Sequence, residues 1–262
     1  MNYWITVNLV FILLLLFGLI IYLTVCLVFT KAYQRYHVLK INSTKETISG
    51  DEKQAMISFF AQQWELTDYE VILTKAKFLN IGKSLKRGSH KIILSHQNFI
   101  SLGYEIDYFL SRLWFSSQQL KKNRQVKIYA LIMNYLVLLL IVLYCLCFFL
   151  QVVFFVVMIV INPNSVHDNF FLFLWKVPLL TIIALFSGGL IIGLVYFLNQ
   201  LKKVLELNYT YDTLTLLKTN FLAYVDDFKI ARQYASENKI AYNFAFKTKT
   251  HFLKWLGPFV KY

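Results

Sequence analysis

Polar and apolar positions along this chain segregate into long blocks. Residues 1–30, 128–161 and 177–201 contain no Lys, Arg, Asp or Glu. A helix needs about 20 apolar residues to cross a hydrocarbon core of roughly 30 Å. The stretches at 4–29, 128–161 and about 170–198 all reach that length. The second is over-long: its 34 residues would span about 51 Å at 1.5 Å per residue. It must tilt or continue as helix into a neighbouring domain. The pattern predicts a mainly α integral membrane protein with three transmembrane helices.

Between the spans the periodicity changes. Ser49 precedes Glu52 by three, the spacing of a capping box. Ala55, Met56, Phe59, Phe60 and Trp64 then lie on one helical face. Residues 70–80 and 91–95 are short runs rich in Val, Ile, Leu and Thr. The basic turn 81–90 between them contains Gly82 and Gly88, and the whole reads as a β-hairpin or ribbon with a long loop. Leu102, Ile106, Phe109, Leu110 and Leu113 recur at helical spacing within 99–122, with Glu105 and Asp107 expected on the solvated side. Beyond the third span two amphipathic helices are expected. One presents Tyr224, Phe228, Ala231 and Ala235, the other Ile240, Ala241, Phe244, Ala245 and Phe252, with Gly257-Pro258 as its stop.

Charge sets the expected orientation. Block 31–127 holds 16 Lys and Arg against 8 Asp and Glu, and block 202–262 holds 10 against 5. Basic segments are retained on the cytoplasmic side. The expected order starts with an N-terminal anchor at 1–30 and a cytoplasmic α-rich domain with a small β-ribbon at 31–127. A second span at 128–161, an outside loop at 162–176 and a third span with its core at 177–201 come next. A cytoplasmic helical segment at 202–262 completes a multi-pass cell-membrane protein with its N-terminus outside. No basic n-region precedes the first span, so it reads as a retained anchor. Lys121, Lys122, Arg124, Lys127, Lys202 and Lys203 flank the spans and are expected to meet anionic phospholipid headgroups. No nucleic-acid motif accompanies the net charge of +13, and no nucleic-acid partner is expected.

Candidate chemistry is sparse. Cys26, Cys145 and Cys147 lie in apolar spans and read as small hydrophobes. None of the pairs among His37, His90, His96, His167 and His251 has i, i+4 spacing. Gly189 and Gly193 have the spacing of close helix packing, expected mainly between the protein's own spans.

The order of elements resembles the YugP-like family of bacterial membrane zinc metallopeptidases over nearly the whole chain. The likeness rests on the N-terminal anchor, KAYQRYHVLK at 31–40, the capped helix SGDEKQAMISFF at 49–60 and the strand KIILS at 91–95. It implies a subsequent helix with H-E-x-x-H-A-x-Q. The membrane spans come next, then a segment similar to P-V-E-F-D-A-S that supplies a further acidic ligand. In such a motif two His at i and i+4 share one zinc and the Glu activates its water.

This chain departs from that pattern. Residues 111–119 read SRLWFSSQQ, which puts Ser111 or Arg112, and Phe115 or Ser116, at the two His positions. The catalytic Glu becomes Arg112 or Leu113. Ser116 or Ser117, then Gln118 or Gln119, retain the trailing pattern. LNYTYDTL at 207–214 places Thr210 at the acidic-ligand position and retains Asp212. The turn 81–90 lacks the D-H-Y-D-P pattern of active members. Asp212 reads as a cap or salt-bridge partner. Arg112 either occupies the old metal position, where a guanidinium has no lone pair to donate, or faces solvent.

The expectation is therefore a pseudopeptidase with no catalytic residue and no zinc, whose role is binding or scaffolding, with another membrane protein as its partner. The alternatives are an active membrane zinc peptidase with a displaced metal site, and a small transporter or channel component. The peptidase scaffold requires 111–116 and 210–212 to converge.

Overall fold

A computed structural model of the chain describes residues 3–34, 48–74, 84–95, 101–161 and 169–237. Gly82, His37, His96, His167, His251, most of the 31–47 linker and the helix expected at 240–252 lie outside the described residues. The elements begin with α1 (Tyr3–Gln34), α2 (Gly50–Gln63), β1 (Glu70–Thr74), β2 (Leu85–Lys86) and β3 (Lys91–Ser95). They continue with α3 (Leu102–Leu120), α4 (Arg124–Leu131), α5 (Val137–Ile161), α6 (Asn169–Lys176), α7 (Leu179–Asn220) and α8 (Val225–Glu237).

Three of the described helices are long and apolar enough to cross a membrane: α1, α5 and α7. The over-long second stretch resolves into α4, a π turn at Ile132–Leu136, and α5. Such a turn inserts one residue into the ladder and reorients the helix beyond it. The third stretch begins later than expected. Residues from Phe170 form part of the separate helix α6, and Pro178 stands at the N-cap of α7. Proline has no N–H to donate, so it suits a helix start. At 42 residues, α7 is about 63 Å long. Only its charge-free part, 179–201, is needed as a span. The rest carries the helix into the polar domain.

Polar pegs join α1 to α5 and α6. Asn8 Nδ2 donates to the carbonyls of Trp4 and Trp175, at 2.9 and 3.0 Å. Its Oδ1 accepts from Gln151 Nε2 at 3.0 Å. One amide pair thus ties α1 to α5 and α6, and both polar atoms of the Asn8 side chain are hydrogen-bonded. The Tyr144 hydroxyl donates to the Leu15 carbonyl at 2.8 Å. The glycines that permit close approach are Gly18 and Gly188. A Cβ on Gly18 would lie 2.7 Å from Tyr144 Oη, and one on Gly188 would lie 3.5 Å from its ring. Gly189 and Gly193 do not serve that role among the described residues: nothing lies within 4 Å of a Cβ at either. A spacing of four defines a shared helix face and not what covers it. Cys145 is exposed and Cys147 buried, two positions apart and so on different faces of α5.

The sheet corrects the hairpin expectation. Strand order is β1-β3-β2, with β1 parallel to β3 and β2 antiparallel to it. Among the described strands only the tight β2–β3 connection is a hairpin. Residues 75–90 between β1 and β3 are numerous enough for a parallel crossover.

The capping box at Ser49 and Glu52 forms as expected and α2 ends at Trp64. On its inner face Met56, Ile57 and Phe60 are buried, whereas Ala55 is exposed. One hydrophobic core runs from Ile48 and Met56 through α3 and α4 to Ile191 and Val195. The polar domain and the adjoining ends of α5 and α7 therefore fold as one packed body.

Candidate functional site

Helix α3 holds the site because it is enclosed. The sheet, α2, α4, α7 and α8 all pack against it, and every residue from Leu102 to Ser117 except Glu105 is buried. The apolar face predicted from Leu102 to Leu113 is buried as expected. Its polar face is buried too, so each polar side chain there needs a partner.

Asp107 is not on a solvated face; it is 0% exposed. Its Oδ1 accepts from Tyr209 Oη at 2.9 Å and its Oδ2 pairs with Arg232 Nη1 at 3.2 Å. Arg232 Nη2 lies 3.6 Å from Glu206 Oε2, and Glu206 Oε1 lies 3.7 Å from Lys202 Nζ. Arg232 Nε donates to Thr210 Oγ1 at 3.3 Å. Two acids and two bases from α3, α7 and α8 thus form one charge-balanced chain. Glu105 is also paired, with Lys53 at 2.6 Å.

The environment shifts these groups in opposite senses. Burial opposes the charge of Arg232, but Asp107 and then Glu206 outweigh it and raise its pKa. Burial raises Glu206 against the pull of Lys202 and Arg232. Burial and then Asp107 push the Tyr209 phenol well above its ordinary value, so it remains a hydrogen-bond donor. Lys202 is lowered by burial, with Glu206 opposing. Only 11% of the Lys202 side chain is exposed, and Glu206 lies beside it. Lys121, Lys122, Arg124, Lys127 and Lys203 are exposed.

The positions expected to face a metal are filled differently. Ser111 Oγ donates to the Tyr108 carbonyl at 2.9 Å. Leu113 is buried, and Phe115 meets the Tyr129 ring edge-on at 6.4 Å. Ser117 Oγ donates to the Trp64 carbonyl at 2.8 Å. Thr210 Oγ1 donates back to the Glu206 carbonyl at 2.8 Å while accepting from Arg232. Among the described residues Asp212 neither caps a helix nor pairs with a cation; it accepts from Trp114 Nε1 at 2.8 Å. The Trp114 ring also meets Tyr209 at 5.7 Å. The 111–116 and 210–212 segments therefore converge, through Trp114.

Arg112 does not face solvent. It is 0% exposed and its guanidinium lies 3.6 Å from the Tyr108 ring centroid. Nη1 donates to the Tyr108 carbonyl and Ser111 Oγ, at 2.9 and 3.2 Å. Among the described residues Nε and Nη2 have no hydrogen-bond partner, and neither does Ser116 Oγ one turn along. Burial lowers the Arg112 pKa, against the fields of Tyr108 and Asp107. An incompletely compensated buried charge costs stability, and apolar replacement of buried ions is often stabilising by about 1–4 kcal/mol. Arg112→Met is therefore expected to raise stability by about 1–2 kcal/mol, read as a higher midpoint of thermal unfolding in detergent. A lower midpoint would mean that stacking on Tyr108 outweighs desolvation.

Among the described residues no group of three His, Cys, Asp or Glu side chains is placed to hold a metal ion. Sequence reasoning missed Lys202, Glu206 and Arg232 as a buried set. The available signals were the i, i+4 Lys-Glu pair and an arginine four residues after Phe228, inside an apolar face. Compared with protein-family models, with curated proteins and with solved structures, the chain matches none.

Proposed function

We propose that this chain is a three-span membrane protein whose polar domain is a metallopeptidase-like scaffold without catalysis, acting by binding or holding another membrane protein. The N-terminus lies outside and both basic blocks lie in the cytoplasm, where Lys121, Lys122, Arg124, Lys127 and Lys203 meet anionic headgroups. The observation that carries the scaffold reading is the meeting of α3 with α7 at Trp114 and Asp212. This is the junction where the YugP-like resemblance requires a motif helix to meet a distant acidic segment. The junction here is occupied by an indole–carboxylate bond and its neighbourhood by a buried guanidinium. Neither Ser111, Arg112, Phe115, Ser116 nor Thr210 supplies a zinc ligand of the usual imidazole, thiolate or carboxylate kind.

The reading is tested on full-length protein purified without chelator. The expected result is substoichiometric zinc, and no peptidase activity that a chelator abolishes. Stoichiometric zinc with chelator-sensitive proteolysis would replace it with an active peptidase using a displaced site. Reporter fusions at both termini test the orientation: the C-terminal fusion is expected in the cytoplasm and the N-terminal one outside.

A further inference from the structure

A side-chain hydrogen bond ties the β2–β3 turn to the end of α3: Arg87 Nη2 donates to the Gln119 carbonyl at 2.9 Å. This brings the turn, with exposed Lys86 and Arg87, beside Lys121 and Lys122. Acids neutralise only part of this cluster. Glu65 pairs with Lys121 at 2.9 Å and Glu70 with Lys91 at 3.8 Å. Lys86, Arg87 and Lys122 have no acidic partner among the described residues.

The level of this surface is set by its attachments. Phe115 meets Tyr129, the second residue of the charge-free run 128–161. Gln119 is one turn past Phe115, and only Lys121–Asn123 separate α3 from α4. The exposed face of this helical stretch is apolar from Leu131 onward, through Tyr135, Leu138 and Leu139. Arg124 precedes Leu131 by seven residues, about 10 Å along a helix. A headgroup layer of roughly 5–7 Å lies outside the hydrocarbon core, so Arg124 stands within the ~8 Å over which a charged bilayer surface acts at physiological salt.

We propose that the β2–β3 turn and the α3–α4 junction form one surface that binds the phosphate-bearing headgroups of anionic lipids, with Lys86, Arg87 and Lys122 as its uncompensated cations. The turn, and not the span-flanking lysines alone, then senses lipid charge. Arg87 positions the turn while its guanidinium keeps its charge toward phosphate, since Gln119 offers it only a neutral carbonyl. The proposal rests on α1, α5 and α7 crossing the bilayer, and it is independent of the peptidase-like reading.

The test compares full-length protein in nanodiscs of phosphatidylcholine alone with nanodiscs that also contain phosphatidylglycerol. Hydrogen exchange is followed in peptides covering 84–95. Exchange is expected to slow several-fold in the anionic discs, and the protection should vanish at high salt and in the K86E/R87E variant. A Lys229→Glu control on α8 should retain it. Equal exchange in both discs would overturn the proposal. So would protection that appears with polyglutamate in neutral discs but not with phosphatidylglycerol, which would identify an acidic protein as the occupant. Failure to enter discs of either kind would overturn the membrane reading itself, and the proposal with it.

Discussion

Asp107→Ala is expected to destabilise the protein by about 3–5 kcal/mol, the range for removing one partner of a buried ion pair. The carboxylate is fully buried and has two partners, Arg232 and Tyr209. Its loss leaves Arg232 buried with only Glu206, at 3.6 Å, to oppose its charge. It also leaves the Tyr209 hydroxyl without its side-chain acceptor. Arg232→Met should be comparably costly alone, because Asp107 is then buried without its cation. The informative measurement is the double-mutant cycle. The double variant should lose clearly less than the sum of the single losses, with a coupling of about 1–3 kcal/mol. Additive losses would show that the two groups act separately. Asp107→Asn should lie between wild type and Asp107→Ala, since an amide still accepts from Tyr209 but carries no charge.

This pair illustrates why part of the site was illegible. Reading α3 as amphipathic assumes that one side faces water. Its apolar positions from Leu102 to Leu113 are buried, as the periodicity implies. But α2, the sheet, α4, α7 and α8 surround the helix, and burial on the other side comes from elements distant in sequence. Asp107 and Arg112 were assigned or allowed solvent for that reason. Lys202 was assigned to headgroups because a lysine after an apolar run usually marks an interface. Its acidic partner Glu206, one turn on, is also paired with Arg232 from a different helix.

The three long apolar helices were legible because a long run without charge is a local pattern. The capping box and the buried face of α8 were legible for the same reason: each is decided within about two turns. Strand direction is not local. Alternating or apolar runs at 70–74 and 91–95 fit either a parallel or an antiparallel partner. The short β2 that provides the true hairpin has only two residues, too few for a period. The face of Gly189 and Gly193 was undecidable similarly, since spacing fixes a stripe but not its neighbour. The convergence of 111–116 with 210–212 was expected from the resemblance, but not the tryptophan that makes it.

Gly103→Ala should separate α3 from α8 and cost a net ~2 kcal/mol or more. A Cβ at Gly103 would overlap the backbone carbonyl oxygen of Asp227, and would lie 2.8 Å from its carbon and 3.3 Å from Ala231 Cβ. Helix propensity alone favours alanine by about 1 kcal/mol, so the sign depends on whether the neighbour yields. A backbone carbonyl inside α8 cannot rotate aside, and forced overpacking costs about 1–3 kcal/mol or more. Moving α8 also displaces Arg232, one and a half turns beyond Asp227, from Asp107. The steric loss and the electrostatic loss therefore arrive together, which places the net effect at the costly end. Ala231→Gly should fail to rescue the variant, because the principal obstacle is main chain. Gly189→Ala is the matched control: with nothing within 4 Å of its Cβ, it should change the unfolding midpoint little. Equal midpoints for Gly103→Ala and wild type would mean that α3 and α8 can separate without cost. The buried Asp107–Arg232 pair would then not be a fixed link between α3 and α8.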